Sequence, residues 1–236
     1  MIFYLFLIII IILVSKHIYE IHNYNPVFSI ESLQSANNEI ISEKIKERNP
    51  LLIHNLSNKS NLLRDLSFEK LIKDNPGHII LDNKKYISLK SFVDPESEQM
   101  NIYKNRDIVS QFRLTPAYDE IYNSFYSPIH CNKNYYLNLL KGNNAIALKC
   151  NKHNLMLIYQ IHGESKLYLF NPSHRVNIMD KPNDQIKKYG HKINLKPGIV
   201  IMIPIEWYYF YESNGSSIVG EIESDNYFTV LYNNLR

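Results

Sequence analysis

Apolar residues are distributed along this chain in three regimes. Residues 1–14 form an unbroken apolar run from Met1 to Val14, including five consecutive isoleucines at Ile8–Ile12, and the first side chain charged at neutral pH is Lys16. No polar face interrupts the run, so it belongs in lipid or in a translocon rather than on the surface of a water-soluble fold. Fourteen helical residues cover roughly 21 Å against a hydrocarbon core of about 30 Å, and Ile18 and Tyr19 extend the run if Lys16 snorkels. Residues 1–19 are therefore expected to form a single-pass membrane anchor. The alternative is a secretory signal peptide, although a basic leading region is missing and no small-residue cleavage site follows Val14.

The middle of the chain mixes polar stretches with short amphipathic ones. Residues 20–47 read as a polar spacer, with a short helix at 42–48 ending before Pro50. Leu51–Ile53 is a brief apolar strand. Ser67 has the side chain of a helix N-cap ahead of Phe68–Ile72, and Asn75-Pro76-Gly77 stops that helix. Strands at 78–81 and 86–89, the latter closing an Asp82-Asn83 turn, lead to a helix over Leu89–Val93. Tyr118, Ile121, Tyr122 and Phe125 recur at i, i+3, i+4 and i+7, which predicts a helix over 117–125.

After Pro128 the period drops to two. Short strands are predicted at 135–140, 145–150, 155–161, 166–170, 190–195, 199–203, 208–211, 217–224 and 228–232, separated by Gly, Asn, Pro and Asp. Many short strands at close spacing argue for a barrel or sandwich rather than a βαβ fold. With 18 Tyr and 10 Phe the chain has ample aromatic material for a mainly β core. The charge is +3, with basic and acidic residues intermixed, which gives no support for nucleic-acid binding. Abundant Ile, Asn and Lys suggest an AT-rich genome. Cys131 and Cys150 either pair or remain free thiols, and two cysteines are too few for a disulfide scaffold. Sequons at Asn55, Asn58 and Asn214 matter only for a lumenal domain.

In order and spacing, the elements from about residue 48 onward resemble the cupin-like branch of the JmjC-type 2-oxoglutarate oxygenases. The resemblance rests on Asn49–Ile53 and a Leu89–Phe92 element. It rests further on Tyr136–Gly142, on Gln160-x-x-Gly163 followed by Lys166 and Phe170-x-Pro172, and on Pro197-Gly198 followed by Pro204-x-x-Trp207. It implies a double-stranded β-helix over 48–236 with N-terminal helices. In active relatives two histidines and a carboxylate hold Fe(II). The family spacing puts Cys150, Lys152 and Tyr209 at those three positions, and Lys166 at the position of a cosubstrate or anion contact. A fixed lysine charge about 4 Å from a dication costs roughly 4 kcal/mol per unit of ion charge at an effective dielectric near 20. A neutral phenol adds little as a ligand. The expectation is a catalytically degenerate, membrane-tethered domain with no catalytic residue and no cofactor, binding a protein or small molecule at the barrel mouth. The alternative is an Fe(II)/2-oxoglutarate-dependent hydroxylase with an altered ligand set.

Overall fold

The computed structural model describes residues 2–24, 29–35, 37–56, 60–82, 85–94, 101–125 and 130–235. The sequon at Asn58, the turn residue Asn83 and the boundary at Pro128 lie outside them. The chain opens with α1 (Ile2–His22), β1 (Glu31–Leu33), α2 (Asn38–Glu47), β2 (Leu51–Ile53), α3 (Asn61–Arg64) and α4 (Phe68–Asp74). A hairpin of β3 (Ile79–Asp82) and β4 (Lys85–Ser88) precedes α5 (Leu89–Val93), β5 (Ile102–Asn105), α6 (Arg106–Gln111) and α7 (Thr115–Tyr122). There follow β6 (His130–Leu140), β7 (Lys149–Cys150), β8 (Leu155–Phe170), α8 (Arg175–Ile178), α9 (Asn183–Ile186), β9 (His191–Leu195), β10 (Val200–Ile203), β11 (Tyr208–Asn226) and α10 (Tyr227–Leu235).

Two long strands organise the sheet. β8 and β11 pair antiparallel along most of their length, from Tyr208 opposite Phe170 to Ser224 opposite Leu155, with a register irregularity between Asn214 and Val219. That break divides the sheet into two halves. In one, the first half of β8 pairs with β10, and the second half of β11 pairs with β6. In the other, the second half of β8 pairs with β9 and the first half of β11 with β7. Gly163 sits at the break with φ +71°, and a Cβ there would lie 2.3 Å from the Ser216 carbonyl oxygen. Only glycine permits both the left-handed backbone and this close approach.

Strand alternation then sorts the side chains. Leu155, Leu157 and Tyr159 of β8 join Leu137, Leu139, Val200, Met202 and Ile222 in a core shared with helix residues Leu71, Ile108, Ile121 and Tyr122. The intervening Met156 and Ile158 join Ile201, Ile203 and Val219 in a second core with Leu167, Leu169, Ile193 and Leu195 of the other half. The two halves thus enclose one apolar interior, and the helices α3–α7 cover the outside of the larger half. Each fully buried aliphatic side chain contributes roughly 1.5–3 kcal/mol. Tyr118 of α7 ties the helical layer down: its hydroxyl donates to the Tyr136 carbonyl at 2.9 Å, in space left by Gly220.

Several expectations hold at the level of single residues. The Ser67 hydroxyl accepts from the Lys70 N–H at 3.2 Å, α5 spans Leu89–Val93, and all four residues of the 118–125 stripe are buried. Others are corrected. The chain is 41% helical and 35% strand among its described residues, so it is a mixed fold and not mainly β. The stretch 20–47, read as a spacer, contributes β1, which pairs parallel with β2, and α2, which buries Ile41. The apolar helix reaches His22. Residues 228–232, read as a strand, form α10, because Asn226 accepts from the Thr229 N–H at 2.8 Å and starts a helix that packs on α1.

Candidate functional site

Glu221, Glu223 and Asp225 alternate along β11 with Ile222 and Ser224, so all three carboxylates project from the same face, toward the interior. Neighbouring carboxylates in such a row are about 7 Å apart, where two full charges repel by roughly 2 kcal/mol at an effective dielectric near 20. All three are buried. The residues brought against them resolve the conflict.

Glu223 is held by two cations. The Lys104 ammonium donates to Oε1, and His153 Nε2 lies 3.1 Å from Oε2. The other ring nitrogen of His153, Nδ1, lies 2.8 Å from Asp225 Oδ2, and the Asn154 N–H donates to Asp225 Oδ1 at 3.0 Å. Burial disfavours charge on His153, but its hydrogen bonds to Asp225 and Glu223 outweigh burial and push the ring up to about 9. Burial likewise works against the Glu223 carboxylate, yet the His153 hydrogen bond and charge, followed by Lys104, bring it down to about 2. The ring is therefore an imidazolium with both N–H groups donating.

Glu221, one step deeper, is surrounded differently. It accepts from the Tyr211 hydroxyl at 3.3 Å and from the Tyr103 hydroxyl at 3.4 Å. Burial raises its carboxyl above the usual range, offset in part by the charge of Lys104. Lys149 of β7 stacks its ammonium 3.1 Å from the centre of the Tyr103 ring. Burial lowers this amine to about 8. Tyr209 bonds to Tyr103, and burial raises its phenol well above the ordinary range. At the rim Arg106 donates to the Tyr136 hydroxyl at 2.6 Å, and its guanidinium lies 4.9 Å from the centre of the same ring. Asn138 of β6, fully buried opposite Val219, accepts from the Lys104 N–H while its Nδ2 has no partner among the described residues. Cations, phenols and carboxylates thus form one hydrogen-bonded block at one end of an otherwise apolar interior.

The four residues singled out from spacing are not gathered into one site. Tyr209 is register partner to Lys149, while Cys150 is partner to Tyr208, so alternation puts Tyr209 and Cys150 on opposite faces. Tyr209 faces the carboxylate block. Cys150 and Lys152 instead flank Glu206, with Sγ 3.9 Å from Oε2 and Nζ 3.5 Å from Oε1. Lys166 alternates with the buried Leu167 and pairs in register with Glu212 and Asn194, so it leaves the interior and lines a surface groove with Asn143, Asn144 and Asn214. No disulfide joins Cys131 and Cys150. Lys104, Lys149, Glu221, Glu223 and Asp225 were not singled out by sequence motifs. The alternating acidic residues of Glu221-x-Glu223-x-Asp225 were the available signal, since three charges on one face of a strand require partners.

No family model matches the sequence, and no curated protein matches it.

Proposed function

We propose that this chain is a membrane-tethered, cupin-like binding module whose interior is closed to divalent metal by its own side chains. The strand order supports the double-stranded β-helix reading. One half runs β6, β11, β8, β10 and the other β7, β11, β8, β9, which is the interleaving that two turns of paired strands produce. The apolar α1 supports the tether.

The observation that carries the silent reading is the pairing of Tyr209 with Lys149. In the related oxygenases the metal sits between the strand equivalent to β7 and the first half of β11. Here that space receives an ammonium and phenols, and the Glu221 carboxylate beside them already accepts from two tyrosines. Those donors do not fit Fe(II), because an amine cation repels it and buried phenols stay protonated. The imidazole of His153 is committed to two carboxylates and has no lone pair to offer. The rim carries Lys104, Arg106 and Lys149 beside aromatic rings, which suits a protein segment or small molecule bearing an anionic group.

The alternative, an Fe(II)/2-oxoglutarate hydroxylase, shares the strand order but needs metal donors that these side chains do not supply. Full-length protein in detergent micelles, incubated with Fe(II) and 2-oxoglutarate, separates the two. The binding module retains no stoichiometric iron and forms no succinate. Stoichiometric iron together with succinate formation would establish the hydroxylase and end this proposal.

A further inference from the structure

α1 ends against the domain. Its last turns are built into the domain: Ile18 and Ile21 pack with Tyr232 of α10 and with Ile205. His17 Nε2 lies 3.2 Å from the Thr229 hydroxyl, His22 Nε2 lies 3.3 Å from the Tyr232 hydroxyl, and the Arg48 guanidinium donates to the Glu20 carbonyl. The pairing is parallel, with residue 17 beside 228 and 229 and residue 22 beside 232. α10 therefore starts at the level of His17 and climbs away from the apolar run alongside α1.

At about 1.5 Å per residue, His17 stands only about 5 Å above Val14, the last residue of that run. The polar layer on each side of a bilayer is roughly 5–8 Å thick. Tyr227, the first residue of α10, is 70% exposed, and Tyr19 of α1 is 69% exposed, and both fall within that layer. Tyrosine is a residue that this layer selects, because its ring is apolar and its hydroxyl is wet. Lys16, at the same level, lies 3.9 Å from Glu20 in an exposed ion pair and keeps its ammonium within reach of lipid phosphates.

We infer that the first turn of α10 touches the membrane surface. Its Tyr227 end and Tyr19 rest in the headgroup layer of the bilayer that α1 enters, so the domain is seated on the membrane surface. This rests on α1 being a membrane anchor. The occupant of the Tyr19–Tyr227 surface is lipid, because a rigid helical connection of under two turns leaves no room for a protein between that surface and the bilayer.

The test uses the full chain in phosphatidylcholine vesicles, with Cys131→Ser and Cys150→Ser and single nitroxide labels at Tyr227→Cys or at Tyr86→Cys, an exposed position of the β3–β4 hairpin. Power saturation compares collision with oxygen and with a water-soluble nickel chelate. The label at 227 should favour oxygen over nickel several-fold more than the label at 86. The unlabelled native chain provides a second readout, slower amide exchange over 227–231 in vesicles than in micelles. Carbonate extraction reports on α1 separately. A chain that resists extraction while the label at 227 is as open to nickel as the label at 86 would overturn the docking and leave the anchor standing. A chain released by carbonate, or one isolated without its first residues, would overturn both.

Discussion

His153 bridges the end of β11 to the turn before β8, and replacing it with glutamine tests the charge assigned to the carboxylate block. Glutamine retains an amide donor but cannot become a cation. The ring is raised from 6.5 to about 9 in the folded state. At 1.36 kcal/mol per unit, that shift corresponds to about 3 kcal/mol of stabilisation. The sign follows from the direction. A cation whose affinity for its proton rises on folding stabilises fully below the unfolded value of 6.5, and the stabilisation is lost as pH climbs through about 9. Unfolding by urea in detergent micelles can be followed by Trp207, the single tryptophan, which is 1% exposed. The native chain should exceed His153→Gln by about 3 kcal/mol at pH 6 and by under about 1 kcal/mol at pH 9.5. Lys149 titrates in the same window with the opposite sign, but it is common to both proteins and cancels in the difference. A difference that stays constant from pH 6 to 9.5 would refute an imidazolium between Glu223 and Asp225.

Three further outcomes are expected. Gly163→Ala should lower stability by about 2 kcal/mol or more, read from the urea midpoint, since the new methyl group meets the Ser216 carbonyl in a left-handed backbone; an unchanged midpoint would remove the reason given for the bend. Lys149→Met keeps a flexible chain against Tyr103 while removing an amine whose proton affinity falls on folding, so stability should rise by on the order of 1 kcal/mol below pH 8, with the gain fading toward pH 10. A loss of stability at pH 6.5 would show that Lys149 is a needed counter-charge. Ile21→Ala should free the end of α1 from Tyr232 and Ile205 at a cost of about 2–4 kcal/mol, seen as faster proteolysis after residue 22; equal proteolysis rates would contradict the packed junction.

Much of the fold follows from local pattern. The 118–125 stripe, the Ser67 cap and the alternating strands are legible because each signal lies within a dozen residues and needs no partner to define it. Where two strands become one, the sequence is silent: β8 continues through Gly163, and β11 through Gly215, because hydrogen bonding across the bend is a property of the pair. Phe228–Tyr232 is too short for its apolar pattern to separate helix from strand, and contact with α1 decides it. Counting from the Gly163 and Trp207 landmarks lands Cys150 on β7 and Tyr209 on β11, but does not say which face each residue takes, and one residue of register puts Cys150 on the opposite side from Tyr209. The carboxylate block was harder still, because Lys104 and Lys149 reach it from strands that are far apart in sequence.

The packing of the last turns of α1 against the body of the protein has a mechanical consequence. A domain on a flexible leash sweeps a hemisphere above the lipid and meets partners approaching from the aqueous phase at any angle. With α1 as the proposed bilayer anchor, a domain clamped through Ile18, Ile21 and Tyr232 would turn only with its own stalk, about the membrane normal. The height and tilt of every surface group are then constants of the molecule, and encounters are confined to a plane. On that proposal, partners carried in the same membrane would be presented at one fixed elevation, and molecules of the wrong height would be excluded before any side chain is compared.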